Sequence, residues 1–350
     1  MLRSDRRPFL AGLAGAAVLG AMPWGRAAAE SKPLKLLMNS DYTGANAWFA
    51  VAQDKGYLRE EGIEVEFTPG LGAYTAAPRI VPEGFDAGYG DINSLIEVVA
   101  ANPEQAPIAV YMMFNAAPTT IVVAADGPIK GPQDLEGHTI GGHPTDVALR
   151  TFPALAKLTG VDASKVKIVT SDESMRVLVE EMLAGKTDGV FGYVTTQTAA
   201  AITAGIDPAA RLRFISYPDY VPDLYGSALM INRQLLRNDP KAVSGLIRAL
   251  NAALIDIVKD PDGAIEVVAR YNPEINKQAE RARLEGTLKG EMAGGEGKTL
   301  GIGAVDEARL ARSIALIAET NKLPRVPAPG EVFTPDFLPP LADRVTTLAG

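Results

Sequence analysis

Cysteine is absent from this 350-residue chain, and only two histidines occur. Disulfide frameworks, thiolate nucleophiles and metal sites built from cysteine and histidine are therefore excluded by the inventory of residues. Any chemistry would have to use other groups. We predict that the chain has no catalytic residue, no metal site and no cofactor.

Runs of basic residues are also scarce, and the formal net charge is -8. Residues 1–29 hold four Arg and one Asp, so a chain that starts at Glu30 would carry -11. Because binding to a phosphate backbone requires a basic face, the sequence predicts no nucleic-acid partner. The sign of the net charge leaves the nature of a small ligand open.

The N-terminal 29 residues have the pattern of an export signal. Arg3, Arg6 and Arg7 precede an apolar run over residues 9–22, and three alanines at 27–29 supply small residues for cleavage. The sequence from Arg6 resembles the twin-arginine export signal. A membrane anchor is the alternative, but the run is shorter than the ~18 residues needed to span a bilayer, and no later run reaches that length. We therefore predict a periplasmic or otherwise extracytoplasmic protein.

The remaining chain alternates short apolar runs, typical of buried strands, with helix-like stretches. A strand–helix–strand pattern over residues 36–90 recurs over residues 138–192. Such intervals also arise in any α/β chain, but the recurrence favours two lobes of one kind. Apolar runs at 108–124 and 226–231 are candidate crossings between them. The sequence thus predicts an α/β fold with lobe I at 30–117, lobe II at 118–225, and a return to lobe I at 226–350 with C-terminal helices and a tail.

Five segments carry a resemblance to a known family. They are residues 52–65 (AQDKGYLREEGIEV), 84–91 (GFDAGYGD), 134–141 (DLEGHTIG), 183–193 (LAGKTDGVFGY) and 333–339 (FTPDFLP). Together they resemble the binding proteins for nitrate, sulfonates, taurine and thiamine-precursor pyrimidines. The resemblance implies a type II periplasmic-binding-protein fold, in which two α/β lobes joined by two crossing strands close over a ligand. It also implies a monomer that serves the membrane permease of an ABC importer.

Two other function classes stay open at this point. The same family includes fungal-type pyrimidine synthases of thiamine biosynthesis, which use a cysteine-rich, iron-linked motif, and the absence of cysteine disfavours that activity. A sensory or adaptor module would bind a ligand and signal through a partner protein. The sequence alone does not separate such a module from a transport protein.

Ligands of open α/β sheets collect where strands end and helices begin, so the polar loops after the predicted strands supply the candidate site. Tyrosines there can stack on a flat ligand and donate a hydrogen bond, and carboxylate and amide groups can accept one. For each, a place in the core or a helix cap is the alternative. The predicted ligand-binding residues are Asn39, Asp41, Tyr42, Gly72, Tyr74, Asp91, Asn93, His143, Thr145, Asp172, Tyr193 and Tyr225.

The class of ligand follows from what these loops contain. An oxyanion would favour an arginine clamp, but the loops hold carboxylates, amides and tyrosines. We therefore predict a thiamine-precursor-type pyrimidine or a similar heterocycle, with a sulfonate, taurine or nitrate as the alternative. Arg79, Arg150 or Arg176 would reverse this choice if one of them reached the cleft.

Overall fold

The computed structural model describes residues 32–348, which form two five-stranded sheets. The predicted export signal at 1–29 lies outside the described residues. The strands are β1 (Leu34–Leu37), β2 (Val65–Thr68), β3 (Ala87–Asp91), β4 (Ile108–Met112), β5 (Thr119–Ala124), β6 (Thr139–Gly142), β7 (Lys167–Thr170), β8 (Gly189–Tyr193), β9 (Leu212–Ser216) and β10 (Ser227–Ile231). Their orders are β2-β1-β3-β10-β4 and β7-β6-β8-β5-β9.

The second sheet repeats the topology of the first. In the first sheet β1, β2 and β3 are parallel to one another, and the antiparallel strand β10, which the chain enters from the other sheet, lies beside β3. In the second sheet β6, β7 and β8 are parallel, and the antiparallel strand β5, which the chain also enters from the other sheet, lies beside β8. The chain crosses between the sheets twice, over residues 113–118 and 217–226. This arrangement confirms the predicted two-lobed type II fold with two crossings. We call the first sheet with its helices lobe I, and the second sheet with its helices lobe II.

Fifteen α-helices pack on these sheets within the described residues. They are α1 (Ala47–Asp54), α2 (Tyr57–Glu60), α3 (Ala73–Ile80), α4 (Ile92–Ala101), α5 (Val147–Thr159), α6 (Met175–Leu183), α7 (Val194–Thr203), α8 (Pro208–Arg211), α9 (Arg233–Asn238), α10 (Pro240–Lys259), α11 (Pro261–Tyr271), α12 (Lys277–Gly286), α13 (Gly295–Leu300), α14 (Glu307–Thr320) and α15 (Pro329–Val332). One π-helix, Thr287–Met292, continues α12.

Local sequence explains where the longest helix begins and ends. The side chain of Asp239 accepts from the Ala242 N–H, and Pro240 occupies the first helical position, where its missing N–H costs nothing. An apolar stripe that includes Leu246, Leu250 and Leu254 is buried in the core of lobe I. Asp260 ends α10 and caps α11 in the same way.

Two C-terminal helices connect the lobes. The sequence places residues 226–350 with lobe I, and β10 lies there. However, α14 packs its buried face, including Ile314, against both α4 of lobe I and α5 of lobe II. Helix α12 contacts α7 of lobe II as well as α11 and the turn Gly44–Asn46 of lobe I. The C-terminal region therefore spans the side of the molecule where the lobes meet.

Candidate functional site

A cleft of about 690 Å³ lies between the two lobes. Its walls are the ends of parallel strands and the first turns of the helices that follow, which is where α/β sheets collect their ligands. Lobe I contributes the loops after β1 and β2, and lobe II those after β6, β7 and β8. Phe114, from the first crossing, and Arg283, from α12, complete the lining.

Six of the twelve predicted ligand-binding residues line this cleft, and six do not. Those that line it are Asn39, Gly72, His143, Thr145, Asp172 and Tyr193. Those outside its lining are Asp41, Tyr42, Tyr74, Asp91, Asn93 and Tyr225. The first group comes from both lobes, so the corresponding loops of the two lobes do face each other.

Asp41 and Tyr42 do not line the cleft, although Ser40 and Thr43 on either side of them do. Asp41 is exposed and its carboxylate accepts from the Tyr42 N–H at 2.7 Å. The Tyr42 ring contacts Tyr271 and Phe67, with centroid separations of 5.1 and 6.4 Å, in a groove on the outer side of lobe I. The sequence places Tyr42 after the correct strand but does not reveal which way its side chain turns.

Tyr225 is fully buried beside the crossings. Its ring lies under the guanidinium of Arg309 at 4.0 Å, and its hydroxyl donates to Glu296 Oε2 at 2.5 Å. The Arg309 Nη2 group donates both to the carbonyl of Asn115, in the first crossing, and to that of Leu224, in the second. Tyr225 is thus part of a structural cluster that holds the two crossings together.

Asp91 and Asn93 are buried at the start of α4 and do not line the cleft. Asp91 Oδ1 accepts from the Asn93 N–H and from Asn93 Nδ2, each at 2.9 Å, as a helix cap. Among the described residues, Asp91 Oδ2 and Asn93 Oδ1 have no hydrogen-bond partner. Buried polar atoms are rarely left unpaired in proteins, so these two oxygens are candidates for ligand contacts.

Further polar atoms without partners come from lobe II. The Tyr193 ring lines the cleft while its hydroxyl is buried, and neither that hydroxyl nor Gln197 Oε1 bonds to any residue within 32–348. Glu291, in the π-helix, is buried and accepts from the Thr195 hydroxyl at 2.6 Å. We call Asp91, Asn93, Tyr193, Gln197 and Glu291 the interior polar cluster. Sequence reasoning missed Gln197 and Glu291, because both lie inside helices and not in strand-end loops.

Burial shifts the acid–base properties of this cluster. Loss of hydration raises the pKa of Asp91 to about 7 and that of Glu291 to about 7, although hydrogen bonds to each carboxyl oppose the shift. Burial, followed by the charges of Asp91, Asp146 and Glu291, raises the pKa of the Tyr193 hydroxyl well above its usual value. The cluster therefore holds two carboxyl groups that are poised to change charge near neutral pH.

The stability of the unliganded protein is expected to fall as the pH rises from about 4 to 7. Asp91 and Glu291 bind protons in the folded state over this range, whereas in the unfolded chain they are ionised, so folding is favoured at the acidic end. The free energy of unfolding should be larger at pH 5.5 than at pH 8 by on the order of 2 kcal/mol. Urea unfolding at the two pH values measures the difference. In Glu291→Gln it should shrink, and an unchanged difference would contradict this assignment.

The lobes also touch across the cleft. Ala73 and Tyr74 of lobe I pack against Val147 and Tyr193 of lobe II. The Arg150 guanidinium lies 5.2 Å from the centre of the Tyr74 ring, a cation–π contact between α5 and α3. Tyr74 thus serves as a contact between the lobes. These contacts describe a closed arrangement of the two lobes.

The loop after β2 requires glycine at position 70. A Cβ atom there would lie 1.9 Å from the Met38 carbonyl oxygen, which belongs to the backbone beside β1. Gly70→Ala is therefore expected to displace this loop and to destabilise the protein by about 2–4 kcal/mol. Chemical denaturation measures the loss. Gly290→Ala is the control, since nothing lies within 4 Å of the added methyl group there, and equal losses for the two variants would refute the explanation.

Arg283 is the cleft arginine that sequence reasoning did not identify. The three arginines considered from sequence lie elsewhere: Arg79 pairs with Glu83, Arg176 with Glu180, and Arg150 with the Tyr74 ring. Arg283 reaches the cleft from α12, far along the chain from any strand-end loop. The packing of α12 against α7 brings the Arg283 side chain to the cleft.

The described residues contain neither a candidate membrane-spanning helix nor a candidate metal-binding group of side chains. Within residues 32–348, no helix is both long enough and apolar enough to cross a membrane. In the same range, no three His, Asp or Glu side chains are grouped so that they could hold a metal ion.

One curated protein of known ligand is similar to this chain in sequence. Over 231 residues the chain is 22% identical to the riboflavin-binding protein RibY of Chloroflexus aurantiacus, an alignment that covers 65% of this chain and 62% of that protein. The chain therefore matches less than two thirds of the length of this relative.

Solved structures share the fold at low sequence identity. The alkanesulfonate-binding protein SsuA of Xanthomonas axonopodis pv. citri, bound to MOPS, superimposes with a TM-score of 0.67 at 15% identity, covering 88% of this chain and 99% of that one. A variant of the desulfurization enzyme DSZB in complex with biphenyl-2-sulfinic acid gives 0.59 at 15% identity, with coverages of 88% and 98%. One fold thus serves a binding protein and an enzyme.

A family model settles the relationship at the level of sequence. The model described as NMT1/THI5 like matches residues 45–264, which is more than half of the chain. The match begins after β1 of lobe I, runs through all of lobe II, and ends in α11. The chain therefore belongs to the NMT1/THI5-like family.

Proposed function

We propose that this protein is the extracytoplasmic ligand-binding component of an ABC importer, and that it closes its two lobes over a small organic molecule. The observation that carries the proposal is the cleft lined by both lobes, together with an unpaired buried polar atom from each lobe, Asp91 Oδ2 and the hydroxyl of Tyr193, a residue that lines the cleft. A ligand that bonds to both atoms would favour the closed state, because the open state offers only one of them at a time. The closed shape is then the signal for the permease.

The ligand is a nitrogen heterocycle that donates hydrogen bonds, of the thiamine-precursor pyrimidine type. The interior polar cluster is rich in acceptors, with two carboxyl groups and two amide oxygens. A ring that carries an amino group supplies the complementary N–H donors. Tyr193 lines the same cleft and offers an aromatic ring on which a flat ligand can stack.

Export and transport complete this proposal. The relatives named for riboflavin and alkanesulfonate binding are ligand-binding proteins, and the N-terminal sequence pattern favours export. We infer a monomer outside the cytoplasm that delivers its ligand to a membrane permease. The contact of Tyr74 with Arg150 would form on closure and would help the permease to distinguish the loaded state.

A sulfonate is the second candidate ligand, and Arg283 is the observation that favours it. Its guanidinium lines the cleft, and planar guanidinium groups bind oxyanions through paired N–H donors. The SsuA neighbour is named for alkanesulfonate binding. The fold is shared with a desulfurization enzyme, but this chain has no cysteine to supply a thiolate nucleophile, so we propose binding and not catalysis.

Thermal unfolding against a panel of ligands tests the proposal. The panel contains 4-amino-5-hydroxymethyl-2-methylpyrimidine, thiamine, riboflavin, taurine, ethanesulfonate and nitrate. Because a ligand that binds only the folded state raises the unfolding midpoint, we expect a saturable increase with the aminopyrimidine. An increase with the sulfonates alone would reject the heterocycle in favour of the second candidate. No increase with any member would contradict both.

A further inference from the structure

Arg283 is a largely buried arginine whose guanidinium makes one ion pair and leaves its Nε–H group without a partner among the described residues. Its side chain is 14% exposed, and its nearest carboxylate contact is 3.2 Å from Nη1 to Glu280 Oε1. Within residues 32–348, its buried Nε–H group has no hydrogen-bond partner. Arg309 is equally buried, at 15% exposure, and its Nε–H group also has no partner in that range, but its two Nη groups donate hydrogen bonds to Glu296, Asn115 and Leu224. The difference indicates that the Arg283 guanidinium is available for a ligand.

The position of Arg283 is fixed by its neighbours. Glu280 lies one turn earlier in α12, and its Oε2 accepts from the Gly44 N–H at 2.7 Å. This bond attaches the carboxylate, and with it the paired guanidinium, to the loop that follows β1. Gly44 must be glycine, because a Cβ atom there would lie 2.1 Å from the Glu280 carbonyl oxygen. Arg283 is therefore held at one wall of the cleft before any ligand arrives.

The two ends of the site have opposite chemistry. Arg283 presents a positive charge with N–H donors, whereas the interior polar cluster presents carboxyl and amide acceptors. The two regions are close to each other, since Arg283 and Tyr193 line the same cleft and Glu291 accepts from Thr195 of α7, the helix against which α12 packs. A cleft of about 690 Å³ has room for a ligand that reaches both.

We propose that the ligand is bipolar, with an oxyanion that binds Arg283 at one end and an N–H-donating ring or amine that binds the interior polar cluster at the other. This inference rests on the proposed function, since it describes the ligand of the same cleft. It explains why the site contains both an arginine and unpaired acids. A purely anionic ligand would leave the acids without a partner, and a purely basic ligand would leave the arginine without one. Arg283 is then the residue that selects for the anionic group.

Two matched pairs of probes test this proposal by isothermal titration calorimetry. The first pair is 4-amino-5-hydroxymethyl-2-methylpyrimidine and its phosphate ester, which differ only in the anion. The second is taurine and ethanesulfonate, which differ only in the ammonium group. We expect the bipolar member of each pair to bind at least tenfold more tightly. In Arg283→Gln, the difference between the pyrimidine and its ester should disappear, and Arg283→Lys should restore part of it.

The outcomes separate this inference from the proposed function. Equal affinity for the pyrimidine and its ester in the wild-type protein would overturn the role of Arg283 while leaving a ligand-binding protein. No binding by any of the four probes would overturn both. Arg309→Gln is the matched control for folding: it should lower the unfolding midpoint more than Arg283→Gln does, because each arginine pairs with one largely buried carboxylate but only Arg309 also donates to two backbone carbonyls. An equal loss of stability in Arg283→Gln would mean that the arginine is structural and would contradict the proposal.

Discussion

Asp91→Asn is expected to stabilise the unliganded protein and, at the same time, to weaken ligand binding by about a hundredfold. The substitution keeps Oδ1, which accepts both Asn93 donors, and asparagine caps helices as well as aspartate does. It replaces Oδ2, the atom without a partner, by an amide group that cannot accept a hydrogen bond. A charge-assisted hydrogen bond contributes about 1.5–3 kcal/mol, which corresponds to the expected loss of affinity.

The gain in stability has a defined pH dependence. Since burial raises the pKa of Asp91 to about 7, the unfolded chain ionises between about pH 4 and 7 while the folded carboxyl group keeps its proton, and this lowers stability by an amount that the amide avoids. Asp91→Asn should therefore increase the free energy of unfolding by on the order of 1 kcal/mol at pH 8 and by less at pH 5.5. Urea unfolding at both pH values, with titration of the aminopyrimidine, measures the two effects.

Asp239→Asn is the matched control for this experiment. Asp239 caps α10 by accepting from the Ala242 N–H, as Asp91 caps α4, but it lies outside the cleft and is exposed. Its substitution should leave ligand affinity unchanged. If Asp91→Asn lowered stability and left the affinity intact, Asp91 would be a purely structural cap and the proposed site would be wrong.

The sequence predicts the fold better than it predicts the site. The two β-α-β repeats and the crossings are visible because strands and helices have distinct periodicities, and each ends at a glycine, proline or capping residue. Helix α5, for example, begins after its cap Asp146 and ends at Gly160, whose positive φ of 74° favours glycine. Signals of this kind lie within a few residues of the feature they predict.

Site residues depend on contacts between distant segments, which periodicity does not encode. Tyr42 and Tyr193 follow corresponding strands, yet the first packs against Tyr271 on the outside of lobe I and the second lines the cleft. Arg283 and Glu291 reach the site because α12 and the π-helix pack against lobe II. The sequence does predict that a residue lies at the end of a strand. The direction of its side chain is decided by tertiary packing.

Arg309→Gln is expected to cost about 3–5 kcal/mol of stability, which makes it the largest expected loss in the structure. Its guanidinium pairs with Glu296 at 3.2 Å and donates to the carbonyls of Asn115 and Leu224, so one side chain holds both crossings. Removing it leaves a carboxylate that is 18% exposed without its cation, together with two backbone acceptors without their donor. Urea unfolding measures the loss, and hydrogen exchange over residues 113–118 and 217–226 locates it.

Arg312→Gln separates this effect from the general loss of a charge on α14. Arg312 lies one turn further along the helix and makes two hydrogen bonds to Asp223, at 2.9 and 3.0 Å, but its side chain is 58% exposed. Exposed pairs contribute about 0–1 kcal/mol, so the control should lose little stability. Similar losses for the two variants would show that the crossings are held by other contacts. A loss confined to Arg309→Gln, with faster exchange in both crossings, would mean that this one guanidinium couples the two segments about which the lobes move.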